Sequence, residues 1–154
     1  MSRKITFICL GNICRSPMAE FIFKNIVEEN NASNKYVVES AGTSGWNDGD
    51  DMHHKTKEIL KDNKISCEGF ASKKISNKLF NESDYLFVMD NNNYKDMISF
   101  FGNNPKIRKI TDYNTTLNYD EVPDPWYTGD FNEVFEIIND ASKNIFELLE
   151  NNKL

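Results

Sequence analysis

Cys9 and Arg15 lie six positions apart near the N-terminus of this chain. Together, these two residue types can bind a phosphoryl group and attack its phosphorus atom. A cysteine thiolate is a strong nucleophile, and the planar guanidinium of arginine matches two oxygens of a phosphate. If both side chains face one bound oxyanion, the guanidinium and nearby N–H dipoles favour the thiolate form of Cys9. The spacing alone is a weak pattern, and an inert buried thiol at the end of a strand is the alternative for Cys9; the flanking segments are what make the pair a candidate active site.

The segments on either side of this pair predict how it is positioned. Residues 5–9 form an apolar run, typical of a central parallel strand that is covered on both faces. Residues 18–30 carry apolar side chains at helical spacing. A strand, a tight loop and a helix N-terminus in this order form an anion site, because the N–H groups of the loop and of the first helical turn converge on the ligand.

The residues of the loop fit such a site. Gly11 and Asn12 are the residue types that most readily adopt the left-handed backbone that a tight cradle requires. Ser16 followed by Pro17 predicts a helix N-cap and the first helical position. The hydroxyl of Ser16 is also expected to stabilise the thiolate of Cys9.

Strands alternate with helices along the whole chain, which predicts a parallel sheet with helices on both faces. We expect strands at 5–9, 36–40, 85–89 and 106–110, helices at 18–30, 52–63, 76–80, 94–101 and 131–149, and an irregular stretch at 111–129. Ligands bind such folds at the carboxyl ends of the strands. Cys9, residues 40–46, Asp90 and the stretch after residue 110 all follow predicted strands.

A second candidate segment lies in the irregular stretch, and such long loops are usually functional. The prolines on either side of Asp124 stiffen the backbone and orient its carboxyl group, which could then serve as the acid for a leaving oxygen. An aspartate that only forms a turn is the alternative for an isolated Pro-Asp-Pro. Trp46 and Trp126 lie on polar loops at the same edge, and together with Tyr127 they predict an aromatic slot for a phenyl ring.

Length and composition predict one ordinary globular domain over residues 1–154, since 39% of the residues are hydrophobic and 27% are charged. No apolar run approaches the roughly 18 residues of a membrane span, and no signal-peptide core is visible, so we expect a cytoplasmic protein without a membrane partner. A net charge of −6 argues against a nucleic-acid partner. The three cysteines fit neither a secreted disulfide framework nor paired metal spacing, and we expect no cofactor and no metal.

The sequence CLGNICRSPMAE from Cys9, with Asp124-Pro125-Trp126-Tyr127 near the C-terminus, resembles the low-molecular-weight protein tyrosine phosphatases. Length and element order match this family from end to end. The resemblance implies a flavodoxin-like, three-layer α/β fold whose four-stranded parallel sheet has the order 2-1-3-4. It also implies hydrolysis of phosphotyrosine proteins or peptides, with inorganic phosphate as product and acid phosphatase activity on aryl phosphates.

The resemblance implies roles for individual residues. Cys9 attacks phosphorus to form a phosphocysteine, Arg15 and the loop N–H groups bind the phosphoryl oxygens, and Asp124 acts first as general acid and then as general base. Asn12 and Ser40 resemble a pair that holds the loop in shape, and Asp90 either orients the site or only caps the next helix. The expected substrate-binding residues are Leu10, Gly11, Asn12, Ile13, Cys14, Ser16, Trp46, Trp126 and Tyr127.

Two cysteines on one short loop predict redox sensitivity. Peroxide is expected to oxidise Cys9 first, and a disulfide with Cys14 would then protect it from further oxidation. The alternative is that Cys14 only packs. The adjacent residues His53 and His54 are expected to point to different faces of a helix as solvated side chains.

Three other functions remain as alternatives. An arsenate reductase needs further thiols to relay a disulfide, and only Cys67 lies beyond the loop. A phosphoarginine phosphatase, by resemblance, favours threonine at the position of Ile13, whose branched side chain suits a flat phenyl ring better. A binding module without turnover needs neither the thiol of Cys9 nor an acid. One departure from the family is Phe70, which stands where a histidine is frequent and puts one support of the loop in doubt.

Overall fold

The structure is a computed structural model that describes residues 2–154. In chain order the elements are β1 (Arg3–Cys9), α1 (Arg15–Glu29), β2 (Tyr36–Gly42), α2 (His54–Asp62), α3 (Asn77–Glu82), β3 (Tyr85–Val88), α4 (Asn91–Phe101), β4 (Ile107–Lys109), a 3-10 turn (Ile110–Tyr113), α5 (Pro125–Thr128) and α6 (Phe131–Glu150). Within residues 2–154, no helix combines the length and the apolar character that a bilayer crossing requires.

The four strands form one parallel sheet in the order β2-β1-β3-β4, which confirms the predicted α/β fold and strand order. Neighbouring residues of a strand face opposite sides of the sheet, and the two sides bury separate clusters. Phe7 and Phe87 pack with residues of α1 and α6, whereas Ile8 and Val88 pack with residues of α3 and α4. The sheet is therefore buried on both faces, as its continuous apolar strands predict.

Several element boundaries differ from those predicted. The strand β2 continues to Gly42, and the stretch expected to be irregular contains the 3-10 turn and the short helix α5. The predicted N-cap at Ser16 is wrong, because α1 already begins at Arg15 with Cys14 at the cap position and no side-chain cap. Ser16 therefore lies inside the first turn of α1, and its hydroxyl is available for other contacts.

The end of β2 passes very close to the loop between β1 and α1. A Cβ atom on Gly42 would lie 2.8 Å from the carbonyl oxygen of Leu10 and 3.2 Å from the backbone nitrogen of Asn12. Only glycine fits against these backbone atoms without a shift. This approach brings the segment after β2 into hydrogen-bonding range of the loop.

Candidate active site

The loop of residues 10–14 is held by its carbonyl groups. Each of the five carbonyl oxygens accepts a hydrogen bond from outside the loop: Leu10 from the N–H and the hydroxyl of Ser44 (both 3.0 Å), Gly11 from the Asn47 amide (3.3 Å), Asn12 from the Ser72 hydroxyl (2.6 Å), Ile13 from the N–H of His53 (2.8 Å) and Cys14 from the Thr56 hydroxyl (3.3 Å). The N–H groups of residues 11–14 make no hydrogen bond to another group of residues 2–154. The loop thus keeps its donors free, which is the arrangement that binds an oxyanion.

The sharp turn of the loop is made by Asn12, whose φ of 56° lies in the left-handed region. Gly11, the other residue expected there, has no positive φ. The Asn12 side chain is fully buried and donates to the hydroxyls of Ser16 at 2.8 Å and Ser40 at 3.0 Å. Its Oδ1 accepts the N–H of Lys73 at 3.0 Å. Asn12 therefore shapes the loop with both its backbone and its side chain.

The thiol of Cys9 lies at the end of β1 and is 2% exposed. Its Sγ is 3.0 Å from the hydroxyl oxygen of Ser16, which is itself fully buried. A hydroxyl donor at this distance stabilises a thiolate. The contact predicted between these two side chains is present, although Ser16 does not cap the helix.

Arg15 is buried, and its guanidinium is anchored on one side. Nη1 donates to the carboxylate of Asp90 at 2.8 Å and to the carbonyl of Val122 at 3.0 Å, while Nη2 is 3.6 Å from the carboxylate of Asp124. Burial alone would lower the pKa of Arg15, but the negative charges of Cys9, Asp90 and Asp124 raise that pKa above its ordinary value. The guanidinium is thus a permanent, oriented positive charge.

Asp90 fulfils both roles that the sequence left open. Its Oδ1 accepts the N–H of Asn93 at 2.7 Å as the N-cap of α4, and its Oδ2 accepts from Arg15. One carboxylate at the end of β3 therefore caps a helix and orients the guanidinium.

Asp124 is the N-cap of α5, where its Oδ1 accepts the N–H of Trp126 at 3.0 Å and Pro125 takes the first helical position. The N–H of Val122 donates to the carbonyl of Met89 at 2.8 Å, which ties the segment to the end of β3. Asp124 therefore forms a turn and also faces Arg15, so the two interpretations of Pro-Asp-Pro are compatible.

A cavity of about 320 Å³ opens above the loop and is lined by Cys9, Leu10, Gly11, Ile13, Cys14, Arg15, Trp46, Asn47, Asp124, Trp126 and Tyr127. Three aromatic side chains form its rim and are largely exposed: Trp46 (79%), Trp126 (63%) and Tyr127 (83%). Asn12 and Ser16, which we expected to bind substrate, are buried behind the loop and do not line the cavity. Asn47 was not predicted, because nothing local in its polar segment distinguishes it from a surface asparagine.

The other two cysteines have different surroundings from Cys9. Burial, with the negative charges of Cys9 and Asp124, raises the pKa of the Cys14 thiol to about 12. Cys67 is buried away from the cavity, and burial raises its pKa as well. No second thiol beyond the loop therefore faces the cavity to relay a disulfide.

The position of Phe70 does not leave the loop without support. Its ring packs edge-on against Phe21 at a centroid distance of 6.1 Å. The adjacent residues Ser72 and Lys73 supply the hydroxyl and the N–H that bond to Asn12. Sequence analysis did not predict these two contacts, which support the loop from the segment that carries Phe70.

The two histidines do not point to different faces of a helix as predicted, although the side chain of His54 is exposed, as expected, and that of His53 is half-buried. His53 precedes α2 as its N-cap, and its ring stacks on that of His54 at a centroid distance of 4.5 Å. The same ring meets Trp126 edge-on at 6.0 Å and packs against Phe131 at 5.0 Å. Because its N–H also bonds to Ile13, His53 joins the loop to the aromatic rim.

The sequence as a whole matches known proteins over nearly its full length. A sequence model of the family described as "Low molecular weight phosphotyrosine protein phosphatase" matches residues 4–154. The chain is 36% identical over 151 residues to the low molecular weight protein-tyrosine-phosphatase YfkJ of Bacillus subtilis, and the match covers 97% of each chain.

Solved structures agree with this similarity. The crystal structure of YfkJ from Bacillus subtilis superposes with a TM-score of 0.96 at 35% identity, covering 100% of this chain and 98% of that one. The protein tyrosine phosphatase of Entamoeba histolytica gives 0.92 at 34% identity, with 99% and 100% covered. The Drosophila arginine phosphatase DARP gives 0.85 at 28% identity, with 96% and 98% covered.

Proposed function

This chain belongs to the low molecular weight phosphotyrosine protein phosphatase family, and we propose that it hydrolyses phosphotyrosine in proteins or peptides through a phosphocysteine on Cys9. It is a protein-tyrosine-phosphatase, hence a hydrolase. One observation carries the mechanism: Cys9, Arg15 and Asp124 line the same cavity, beneath an aromatic rim. We propose that residues 1–154 act as one phosphatase domain. The cytoplasmic location stays a prediction.

In the first step the Cys9 thiolate attacks phosphorus, the S–P bond forms and the bond from phosphorus to the tyrosyl oxygen breaks. The free N–H groups of the loop hold the phosphoryl oxygens. Arg15 offers them its Nε and Nη2 edge, since Nη1 is occupied by Asp90 and Val122. The protonated carboxyl of Asp124 gives its proton to the departing phenolic oxygen.

In the second step water attacks the phosphocysteine from the side that the phenol has left. Asp124, now a carboxylate, takes the proton from this water, and inorganic phosphate and the Cys9 thiolate are released. The contact of 3.6 Å between Asp124 and Arg15 supports the position of this group, because it places the carboxyl group beside the guanidinium that would hold the phosphoryl group.

The shape of the cavity favours an aromatic phosphate ester. Cys9 lies at the floor and is almost completely buried, so the phosphorus must be carried on a group that spans the depth of the cavity. Trp46, Trp126 and Tyr127 supply flat walls for a phenyl ring, and Ile13 adds a branched apolar contact. These contacts support phosphotyrosine over phosphoserine, whose shorter side chain has no ring.

Phosphoarginine is the substrate class that must be tested beside it, since the structural neighbour DARP is an arginine phosphatase. Ile13 in the cavity wall argues against it in this chain. The arsenate reductase alternative lacks its relay thiol, because Cys67 does not line the cavity.

The test is phosphate release from three peptides of identical flanking sequence that carry phosphotyrosine, phosphoserine or phosphoarginine. We expect kcat/KM to be highest for phosphotyrosine and phosphoserine to be scarcely hydrolysed. The Cys9→Ser protein serves as the blank for contaminating phosphatases. Equal or faster release from phosphoarginine would overturn the proposed substrate class.

A further inference from the structure

A continuous chain of side-chain hydrogen bonds runs from the nucleophile to a glutamate one turn further along α1. Its links are Cys9 to Ser16 at 3.0 Å, Ser16 to Asn12 at 2.8 Å, Asn12 to Ser40 at 3.0 Å and Ser40 to Glu20 at 2.6 Å. All five residues are buried, with Glu20 only 7% exposed. Glu20 touches neither the cavity nor the reacting atoms, and the mechanism above does not use it.

Two contacts have a fixed direction, the one from the N–H of Lys73 to Asn12 and the one from Ser40 to Glu20. They determine which group donates in the hydrogen bonds between Asn12 and Glu20. The N–H of Lys73 can only donate, so the Asn12 atom facing it is Oδ1, and the amide nitrogen of Asn12 must face the two serines. Ser40 therefore accepts from Asn12, and its own hydrogen goes to the carboxylate of Glu20, which can only accept.

The same reasoning leaves a hydroxyl hydrogen free for the contact at Cys9. Ser16 accepts one hydrogen of the Asn12 amide, so its own hydrogen is available for the sulfur. This order of donors suits an acceptor at each end, the carboxylate of Glu20 and a thiolate on Cys9. Hydrogen bonds in such a chain polarise one another, so the acceptor at the far end strengthens the links between.

The charge of Glu20 is balanced locally. Its Oε2 accepts from the ammonium of Lys24 at 2.6 Å, one turn further along α1. An unbalanced carboxylate behind the loop would oppose a negative charge on Cys9. Paired with Lys24, Glu20 can act as an acceptor while it adds little net charge to the site.

We propose that Glu20 is a positioning residue for catalysis: its carboxylate anchors Ser40, so that Asn12 and Ser16 are held with the Ser16 hydroxyl donating to the Cys9 thiolate. The proposal rests on the proposed function, in which that thiolate is the nucleophile. It concerns the acceptor at the far end of the chain and not a contact with substrate.

The test measures the rate at which iodoacetate alkylates Cys9 as a function of pH, with mapping of the modified peptide. Glu20→Ala should shift the alkylation profile to higher pH and slow alkylation near pH 6 by about fivefold to tenfold, the scale of the net contribution of one intramolecular hydrogen bond. Glu20→Gln should keep the parent profile, because its carbonyl still accepts from Ser40. Glu29→Gln is the matched control on α1, since Glu29 bonds only to Asn25 on the exposed face.

Double variants distinguish a positioning role of Glu20 from a general loss of structure. Ser40→Ala, which leaves the Glu20–Lys24 pair intact, should reproduce the shift of Glu20→Ala. In a Ser16→Ala background neither change should add a further shift, because the link to sulfur is already gone. Additive effects, an unchanged profile in Glu20→Ala, or a Glu20→Gln profile as displaced as that of Glu20→Ala would each overturn the proposal. If the parent enzyme is not alkylated at Cys9 and keeps its activity, the proposed function itself fails.

Discussion

The loop of residues 10–14 and the segment around Asp124 line the same cavity but are held in different ways. All five carbonyls of the loop are bonded from outside, and Cys9, Asn12 and Ser16 are almost completely buried. The Asp124 segment is tied to the sheet through Val122, and beyond it Trp126 and Tyr127 are largely exposed. The side of the site proposed to bind phosphate is anchored by these hydrogen bonds, and the side proposed to receive the leaving group is open to solvent.

This difference suits the two parts of the proposed substrate, the phosphoryl group and the protein chain that carries the tyrosine. A phosphoryl group has one geometry, and preorganised donors bind its charge without reorganisation during the reaction. The protein chain that carries the tyrosine must enter and leave, so an exposed aromatic rim can accept it without being built around one sequence. The predictions below test how far each half of the site acts alone.

The largest effect is expected for Cys9→Ser. A serine hydroxyl is not ionised near pH 7, so kcat should fall by about 10⁵–10⁶-fold, the scale seen when a nucleophile is removed. If the loop is preformed, phosphate should bind as tightly as in the parent or more tightly, because a negative charge has gone while the N–H donors remain. Phosphate release and calorimetric phosphate titration measure the two quantities. A loss of phosphate binding without unfolding would show that the loop is not an independent cradle.

The segment around Asp124 is tested by the substitution Asp124→Ala. The phenol of tyrosine has a pKa of about 10 and is a poor leaving group, so burst-phase phosphoryl transfer from phenyl phosphate should slow by about 10²–10⁴-fold. An aryl phosphate whose phenol is far more acidic should lose less. The burst phase must be followed because hydrolysis of the phosphocysteine can mask transfer in the steady state.

A matched control for this change is Asp120→Ala in the same segment. The Asp120 carboxylate reaches only Lys109, at 3.3 Å, and its side chain is 86% exposed, so transfer should stay near the parent rate. Equal losses for both leaving groups in Asp124→Ala would mean that Asp124 shapes the segment and donates no proton.

A smaller effect on activity is expected from oxidation of the two cysteines at the anchored loop, Cys9 and Cys14. We expect peroxide to oxidise the Cys9 thiolate to a sulfenic acid, which the Cys14 sulfur would then attack to release water and form a disulfide. After brief peroxide treatment and a thiol reductant, the parent should recover most of its activity and Cys14→Ser much less. Because the pKa of Cys14 is about 12, its thiolate fraction rises with pH, so the disulfide should form faster at pH 8 than at pH 6.

Cys67→Ser is the control for thiol content and should recover like the parent. Equal recovery of the Cys14→Ser and parent enzymes would rule out the protective disulfide and leave Cys14 as a packing residue.

The smallest effect is expected on the free energy of unfolding at His53, which lies between the loop of residues 10–14 and the aromatic rim. Its Nδ1 accepts the N–H of Lys55 as the helix cap, and burial with the positive charges of His54 and Lys55 lowers the pKa of His53. The unfolded chain therefore binds the proton more readily, so this contribution to stability is complete above pH 6.5 and is lost as the pH falls through the lowered pKa. The loss should be at most about 1 kcal/mol, the scale of one N-cap.

His53→Asn keeps a capping acceptor but cannot titrate, so its free energy of unfolding should change less than the parent's between pH 7.5 and pH 5. Urea unfolding at the two pH values measures the difference. His54→Asn is the matched neighbour and should retain most of the parent's pH dependence. If both proteins follow the parent, protonation of His53 does not weaken this junction.

The sequence by itself determined the parts of the protein whose signals are local. The apolar run before Cys9, the polar loop and the helical period after it predict a strand, an anion site and a helix within some thirty residues. The spacing of Cys9 and Arg15, with the strand before it and Ser16-Pro17 after it, indicated the nucleophile and the phosphate clamp. The role of Asp124 as the acid came from the family resemblance, because Pro-Asp-Pro by itself favours a simple turn. The strand order came from the family resemblance, because apolar runs of similar character do not say which strands are neighbours.

Only the tertiary structure decided how the loop is held. Asp90 is seventy-five positions from Arg15 along the chain and reaches it because the neighbouring parallel strands β1 and β3 bring their carboxyl ends to one edge of the sheet. Ser72 is sixty positions from Asn12 and reaches it because the segment before α3 pairs with Gly42 at the end of β2. Ser16 was predicted as a cap because local rules favour that role, yet α1 begins at Arg15, two residues before the predicted start at Pro17, and the Ser16 hydroxyl contacts the buried sulfur. Local propensity describes an isolated helix end, whereas a buried donor is placed where an acceptor from elsewhere in the fold can be satisfied.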